Sequence, residues 1–299
     1  MSVQKEVWVA HIIGNLFKDN EFLNFAFDES EYVLQGTVVH IPGAGAPSGA
    51  TRNRTNLPAT VTIRQDVDVL YPLDNYTSNP RLIKNAEQVE CSYNKRESVL
   101  SEDLAAIKEQ MAEWMLYKWL QNCQILRTTG GASVTAHVGT GNRKALLAAH
   151  LKKARTLMNK MNIPKENRYC LIDSDMYEQL TADATFNSTP DAIRDLNLPE
   201  GTIQKLHGFW LMERSTVAVA TNASTPVIKT PDAAAAATDN AVAICWQKDE
   251  VAKAIGNVDF FENQRDATYY GDIYSSEVRF GGRSRRQNPG VVAIIQEVA

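Results

Sequence analysis

Between residues 57 and 71 the chain alternates apolar and polar side chains for longer than an ordinary strand requires. Ala59, Val61, Ile63, Val67, Val69 and Tyr71 fall on one face, with Gln65 the only polar member. Thr60, Thr62, Arg64, Asp66 and Asp68 fall on the other. A typical strand has about five or six residues, so this period of two predicts an unusually extended element. Residues 32–42 predict its partner strand, with Pro42 ending the first strand and Pro58 opening the second because proline lacks a ladder donor. The intervening segment, Gly43 to Arg54, is small, flexible and basic. Ten extended residues span about 33 Å. A two-stranded ribbon of that length is marginal alone in water. It must lie on the body of its own chain or on a neighbouring subunit, and the flexible tip favours a projecting arm.

Around this ribbon the pattern is mixed. Residues 5–17 predict an amphipathic helix with Trp8, Ile12 and Leu16 on one face, beside Ile13 and Phe17. The stretch 1–31 sets Lys5 and Lys18 against Glu6, Asp19, Glu21, Asp28, Glu29 and Glu31, an acidic, aromatic-rich arm or else a first helix packed on its own core. Residues 101–126 predict the longest helix, with Ser101 as N-cap and Leu104, Ile107, Met111, Met115, Leu116 and Trp119 in its apolar stripe. A second helix is expected over 142–161, ended by Asn162 and Pro164. Arg168–Asp173 reads as a short buried strand, followed by a short helix opened by Asp175 and Glu178 in a capping-box arrangement. Thr189-Pro190 opens another helix. Strand character returns around Gly208–Leu211, at 241–246 and at 291–298. No repeat period is present, which excludes solenoids and propellers.

Composition narrows the functional classes. Lys and Arg number 31 against 35 Asp and Glu, a formal net charge of −4, so the chain lacks the unopposed cations of a polyanion binder. No apolar run approaches the roughly eighteen residues of a membrane span, and Glu6, His11 and Asn15 interrupt the N-terminus where a signal peptide would be apolar. The four cysteines, Cys91, Cys123, Cys170 and Cys245, form no CxxC pair and read as free, mostly buried thiols of a reducing compartment.

A search for chemistry finds little. None of the five histidines stands at HxxxH or HExxH spacing with another, and His150, on or beside the apolar face of its helix, reads as structural. There is no GxSxG elbow and no GxxxxGK[ST] loop. Asp66/Asp68 read as the solvent face of the ribbon and Asp173/Asp175 as a strand-to-helix junction where capping explains them. Arg283, Arg285 and Arg286 read as phosphate contacts, a solvated turn, or charge pairing with another subunit. No catalytic constellation, cofactor site or metal site is expected.

The order of these pieces carries a resemblance. The chain resembles the major capsid proteins of tailed bacteriophages with the Hong Kong 97 type of fold. Residues 1–31 resemble that family's N-terminal arm, 32–80 its extended loop, and 101–126 the spine helix of a peripheral domain over 81–135. Asn162-Ile163-Pro164 with Arg168–Ile172, and Leu206–Leu211, resemble its axial domain over 136–255. Ala241–Ile244, Lys248–Ala252, and Tyr269–Asp272 through Phe280-Gly281 resemble its closing segments, with 256–299 as return strands. The resemblance implies an α+β fold and a shell subunit that self-assembles as pentamers and hexamers into an icosahedral head in the host cytoplasm, enclosing double-stranded DNA without reading its sequence. It implies a separate scaffolding protein or none, with portal and decoration proteins as candidate partners, and no membrane. No residue matches the lysine and asparagine through which some relatives crosslink.

Interface residues expected on this reading are Trp8, Ile12, Leu16, Arg52, Arg54, Val61, Ile63, Arg64 and Val67. The three arginines are expected to face carboxylates of an adjacent subunit. Two rivals stand beside it: an encapsulin-type cellular compartment, which shares the fold, and a metal-dependent enzyme using Asp173, Asp175 and His207.

Overall fold

A computed structural model describes residues 21–34, 37–43, 49–55, 57–58, 61, 63–64, 67–84, 95–183, 196–197, 202–203, 205–286 and 290–299. The expected helices over 5–17 and after Thr189 lie outside the described residues. After a 3-10 turn at Glu21–Phe25 come β1 (Phe27–Asp28), β2 (Val33–Leu34), β3 (Val38–Gly43), β4 (Val67–Pro72), β5 (Asp74–Thr77) and β6 (Arg81–Lys84). Helix α1 (Lys95–Trp119) leads to β7 (Gln124–Arg127), β8 (Ser133–Thr135) and β9 (Asn142–Lys144). Helix α2 (Ala148–Lys160), β10 (Arg168–Asp173) and α3 (Ser174–Ala182) follow. The remainder is strand: β11 (Leu196–Asn197), β12 (Thr202–Ile203), β13 (Lys205–Leu206), β14 (Phe209–Arg214), β15 (Ala218–Ala220), β16 (Asn240–Gln247), β17 (Val251–Asp266), β18 (Gly271–Ser284) and β19 (Val292–Ile295).

The centre is a sheet in the order β13-β14-β10-β16-β19-β7, with β15 on β16. Its middle strands are apolar nearly throughout, and all residues of β10, β16 and β19 are buried. That is the composition of strands covered on both faces. Period-two alternation divides them between two cores. Tyr169, Leu171, Val242, Ile244, Trp246, Ala293 and Ile295 face Met111, Met115, Leu116 and Trp119 of α1. Cys170, Ile172, Ala241, Ala243, Cys245, Val292 and Ile294 face Leu151, Ala154 and Met158 of α2 and Met176 and Leu180 of α3.

A second sheet, β1-β17-β18-β5 with β6 on β18, is built on a long hairpin. Its strands β17 and β18 have 16 and 14 residues. Helix α1 packs across it at a glycine. A Cβ on Gly282 would stand 2.2 Å from Ala252 O and 2.5 Å from Met115 Sδ, so only glycine permits the approach. Residues 21–28 are fastened to this body. Phe22 and Leu23 are buried, Phe25 stacks on Tyr169 at 4.3 Å, and Trp246 Nε1 donates to Phe25 O at 3.0 Å.

The elements differ from expectation in instructive ways. The long helix starts six residues before Ser101 and ends at Trp119. Residues 124–127 leave it because β7 pairs in parallel with β19, from Gln124↔Val292 to Arg127↔Ile295, and Asn122 takes the left-handed conformation (φ 58°) that stops the helix. The second helix begins at Ala148, because Asn142–Lys144 pairs with Ser133–Thr135. The cap of α3 is Asp173, not Asp175: its carboxylate accepts from Met176 N at 2.7 Å. The expected first strand of the ribbon is two strands, because β2 folds back onto β3 with Leu34 opposite Val38. Among the described residues of the expected second strand, Val67–Pro72 forms the regular part. Its partner is β3, in a register that runs from Val38↔Pro72 to Gly43↔Val67.

Candidate subunit interface

The base of the ribbon is anchored by one acidic side chain. Glu29 is fully buried, 0% exposed. Its Oε1 accepts from Arg285 Nε at 2.9 Å and its Oε2 from the Tyr71 hydroxyl at 2.9 Å, with Arg283 Nε 3.7 Å away. The guanidinium of Arg283 lies over the Tyr71 ring at 5.4 Å and that of Arg285 over Phe27 at 3.9 Å. Burial, and then the neighbouring Glu29 charge, push the Tyr71 phenol far above its ordinary value, so it remains a hydrogen-bond donor. Beside this knot Val39, Leu73 and Ala254 form a small apolar cluster with Val33, Ile41 and Tyr71 around it. The strands at the ribbon's root are thus tied to the β17–β18 hairpin by charge and by apolar contact.

The arginines at the end of β18 make ion pairs within the chain. Arg283 and Arg285 serve Glu29, and Arg286 Nε stands 3.2 Å from buried Glu250 Oε1. Burial raises the Glu250 carboxyl above its usual range, and Arg286 opposes that shift.

Beyond the root the described residues of the ribbon are exposed. Val61 and Ile63 are each 90% exposed and Leu57 is 78% exposed, in a chain whose other large apolar side chains mostly lie inside. Arg52, Arg54 and Arg64 are exposed around them. Val67 opens β4 opposite Gly43. Trp8, Ile12 and Leu16 lie outside the described residues. Of the expected interface set, Arg52, Arg54, Val61, Ile63 and Arg64 are exposed on the segment before β4.

The alternative metal set is not assembled. Asp173 caps α3, Asp175 Oδ2 pairs with His137 Nδ1 at 2.9 Å, and His207 sits in the turn before β14 with positive φ. Among the described residues no group of three His, Cys, Asp or Glu side chains has metal-binding geometry. His150 is buried, its Nδ1 accepting from Leu147 N at 3.0 Å and its Nε2 beside Thr129 O at 3.1 Å, a structural role. Sequence reading missed Glu29 and Tyr71 as functional residues. The only signal was the Arg283-x-Arg285 spacing, and its partner lies 256 positions away.

Solved structures share this architecture. A chain of Mycobacterium phage Che8 aligns with a TM-score of 0.64 at 18% identity, over 91% of this chain and 90% of that one. The capsid of Ralstonia phage GP4 aligns at 0.62 and 13% identity, over 92% and 87%. A virus-like particle from Pyrococcus furiosus aligns at 0.56 and 10% identity, over 98% and 100%. The mixed α+β fold is that of a Hong Kong 97-type shell subunit. No curated protein matches the sequence. The phage capsid protein family model matches residues 34–295, and the chain belongs to that family.

Proposed function

We propose that this subunit builds an icosahedral shell of pentamers and hexamers in the host cytoplasm, and that the shell encloses double-stranded DNA without sequence-specific contacts. Its work is assembly rather than turnover. In this reading residues 1–31 are the arm, 32–80 the extended loop, 81–135 the peripheral domain, 136–255 the axial domain and 256–299 their return strands. The observation that carries it is the exposure of Val61 and Ile63 on a ribbon whose root is fixed. Each is worth about 1.5–3 kcal/mol when fully buried against a neighbour. Many such contacts add through avidity once a ring closes. Trp8, Ile12, Leu16, Arg52, Arg54, Arg64 and Val67 complete the proposed interface.

The net charge of −4 supports an inner wall that does not grip phosphate, which leaves the genome free to be driven in through a portal. Scaffolding and decoration proteins are separate partners in this scheme. A second reading, a cellular compartment enclosing protein cargo, is favoured by the full-length likeness to the Pyrococcus furiosus particle. Particles purified from the producing cell separate the two. Nuclease-protected double-stranded DNA of uniform length supports the phage head, and co-purifying enzyme without DNA supports the compartment. A stable 33 kDa monomer at high concentration contradicts both.

A further inference from the structure

Cys170 and Cys245 stand side by side in the central sheet. They are partners in the antiparallel register of β10 and β16, between Tyr169↔Trp246 and Leu171↔Ile244. β10 also pairs with β14, and β16 with β19, so both strands are held from two sides. The two sulfurs are 3.2 Å apart, and both residues are fully buried in the core under α2 and α3. Directly opposed residues of an antiparallel pair have Cα atoms about 4.5–5.5 Å apart, inside the roughly 4.4–6.8 Å range of disulfides. A disulfide bond is about 2.05 Å long, so the sulfurs have only about 1.2 Å to close. Cys123 packs against the core on the opposite face of the sheet and does not compete for either partner in the folded chain.

We propose that Cys170 and Cys245 form a redox-modified pair: a dithiol in a reducing compartment, which a small-molecule disulfide such as oxidised glutathione converts to a cross-strand disulfide. In the closed sheet the reaction is blocked. Burial, and then the neighbouring Cys170 thiol, raise the Cys245 thiol well above its usual range, and neither sulfur is open to a reagent. The exchange therefore runs while the strands are apart, during folding or an opening excursion, when a cysteine has its ordinary pKa of about 8.5. One thiolate attacks a sulfur of the small disulfide, forming a mixed disulfide and expelling one small thiolate. The second cysteine loses its proton to solvent and displaces the other half as a second thiolate. Two cysteine thiols are thus oxidised, one small disulfide is reduced to two thiols, and the two released protons end on them. Closing the sheet then shelters the bond from reductant. The bond ties positions 75 residues apart, a long loop whose closure restricts the unfolded chain. It belongs to one chain, so it stands or falls apart from the shell reading.

Oxidation of the purified full chain tests the pair. One sample is held with oxidised glutathione a few degrees below the thermal midpoint, where opening is frequent, and a matched sample with reduced glutathione. Both are then denatured without reductant, alkylated and mapped by mass spectrometry. The oxidised sample is expected to yield two peptides joined through Cys170 and Cys245, about 2 Da lighter than their reduced parts. Its thermal midpoint is expected to rise by at least about 5 °C over that of the reduced chain. Cys91→Ala with Cys123→Ala, which removes every other thiol, is expected to give the same linkage and the same rise, and Cys170→Ala neither. Recovery of Cys170 and Cys245 as free thiols or as separate glutathione adducts overturns the pairing, as does linkage of either to Cys91 or Cys123. A joined pair whose midpoint does not exceed that of the reduced chain overturns its stabilising role. Where a variant fails to fold, the linkage map of the wild-type chain decides.

Discussion

Glu29 shows how one side chain can hold two distant parts of a chain together. A carboxylate with 0% exposure is costly unless its oxygens are matched, and here Arg285 and Tyr71 match them at 2.9 Å each. Glu29→Gln keeps one acceptor oxygen, turns the other into an amide N–H donor, and removes the charge that balances Arg283 and Arg285. The expected loss is about 3 kcal/mol, at the low end for a broken buried pair because both guanidiniums reach some solvent. A denaturant midpoint unchanged from wild type would show that the knot is not structural. Two histidines act with opposite sign. Burial, with Lys153 nearby, holds His150 below its ordinary value, so its stabilising contribution is complete above about pH 6.5 and is lost as pH falls through the depressed folded value. His137 is held above its ordinary value: burial opposes this, but the hydrogen bond to Asp175 and the charges of Asp173 and Asp175 outweigh it. Its contribution is complete below about pH 6.5 and is lost as pH rises through the raised value. Unfolding midpoints between pH 5 and 8 check both, with His150→Gln expected to flatten the acid-side decline and His137→Asn to steepen it. Cys170 and Cys245, with sulfurs 3.2 Å apart and both fully buried, are expected to react with a thiol reagent only on unfolding, since burial raises the Cys245 thiol well above its usual range.

At the scale of elements, the contact of α1 with the β17–β18 hairpin depends on Gly282. Gly282→Ala places a methyl against Ala252 O and Met115 Sδ, and the helix or the strand must shift. A cost of about 1–3 kcal/mol is expected, read as a lowered thermal midpoint. A midpoint equal to wild type would mean that the two elements are not in contact as described. Which elements were legible in the sequence follows from what determines them. Arg168–Asp173 announced itself because a strand covered on both faces is apolar at every position. The stripe of α1 was legible because Ile107, Met111, Met115, Leu116 and Trp119 keep a helical period. The ends of α1 were not, because β19, more than 160 residues later, claims residues 124–127 for a sheet. Over 57–66 the alternation marks a two-faced segment, and the described residues there, Leu57, Pro58, Val61, Ile63 and Arg64, are all exposed, so burial within the chain does not sort its faces. In the candidate interface, exposure of Arg52, Arg54, Val61 and Ile63 followed from the local pattern, whereas the Glu29 knot joins residues too far apart for any local signal.

At the scale of the molecule, the described chain closes two cores around one doubly covered sheet, and Val61 and Ile63 are the most exposed of the large apolar side chains among the described residues. Exposed apolar side chains scattered singly are ordinary, but Leu57, Val61 and Ile63 lie within seven residues of one another. A neighbouring subunit is the cover that a shell supplies. The most direct measurement is a cryo-electron microscopy reconstruction of purified particles at a resolution that traces side chains. The account predicts the 49–64 segment of each subunit lying across the adjacent one, with Val61 and Ile63 buried there. Particles in which that segment folds back and is sheltered by its own chain would contradict it.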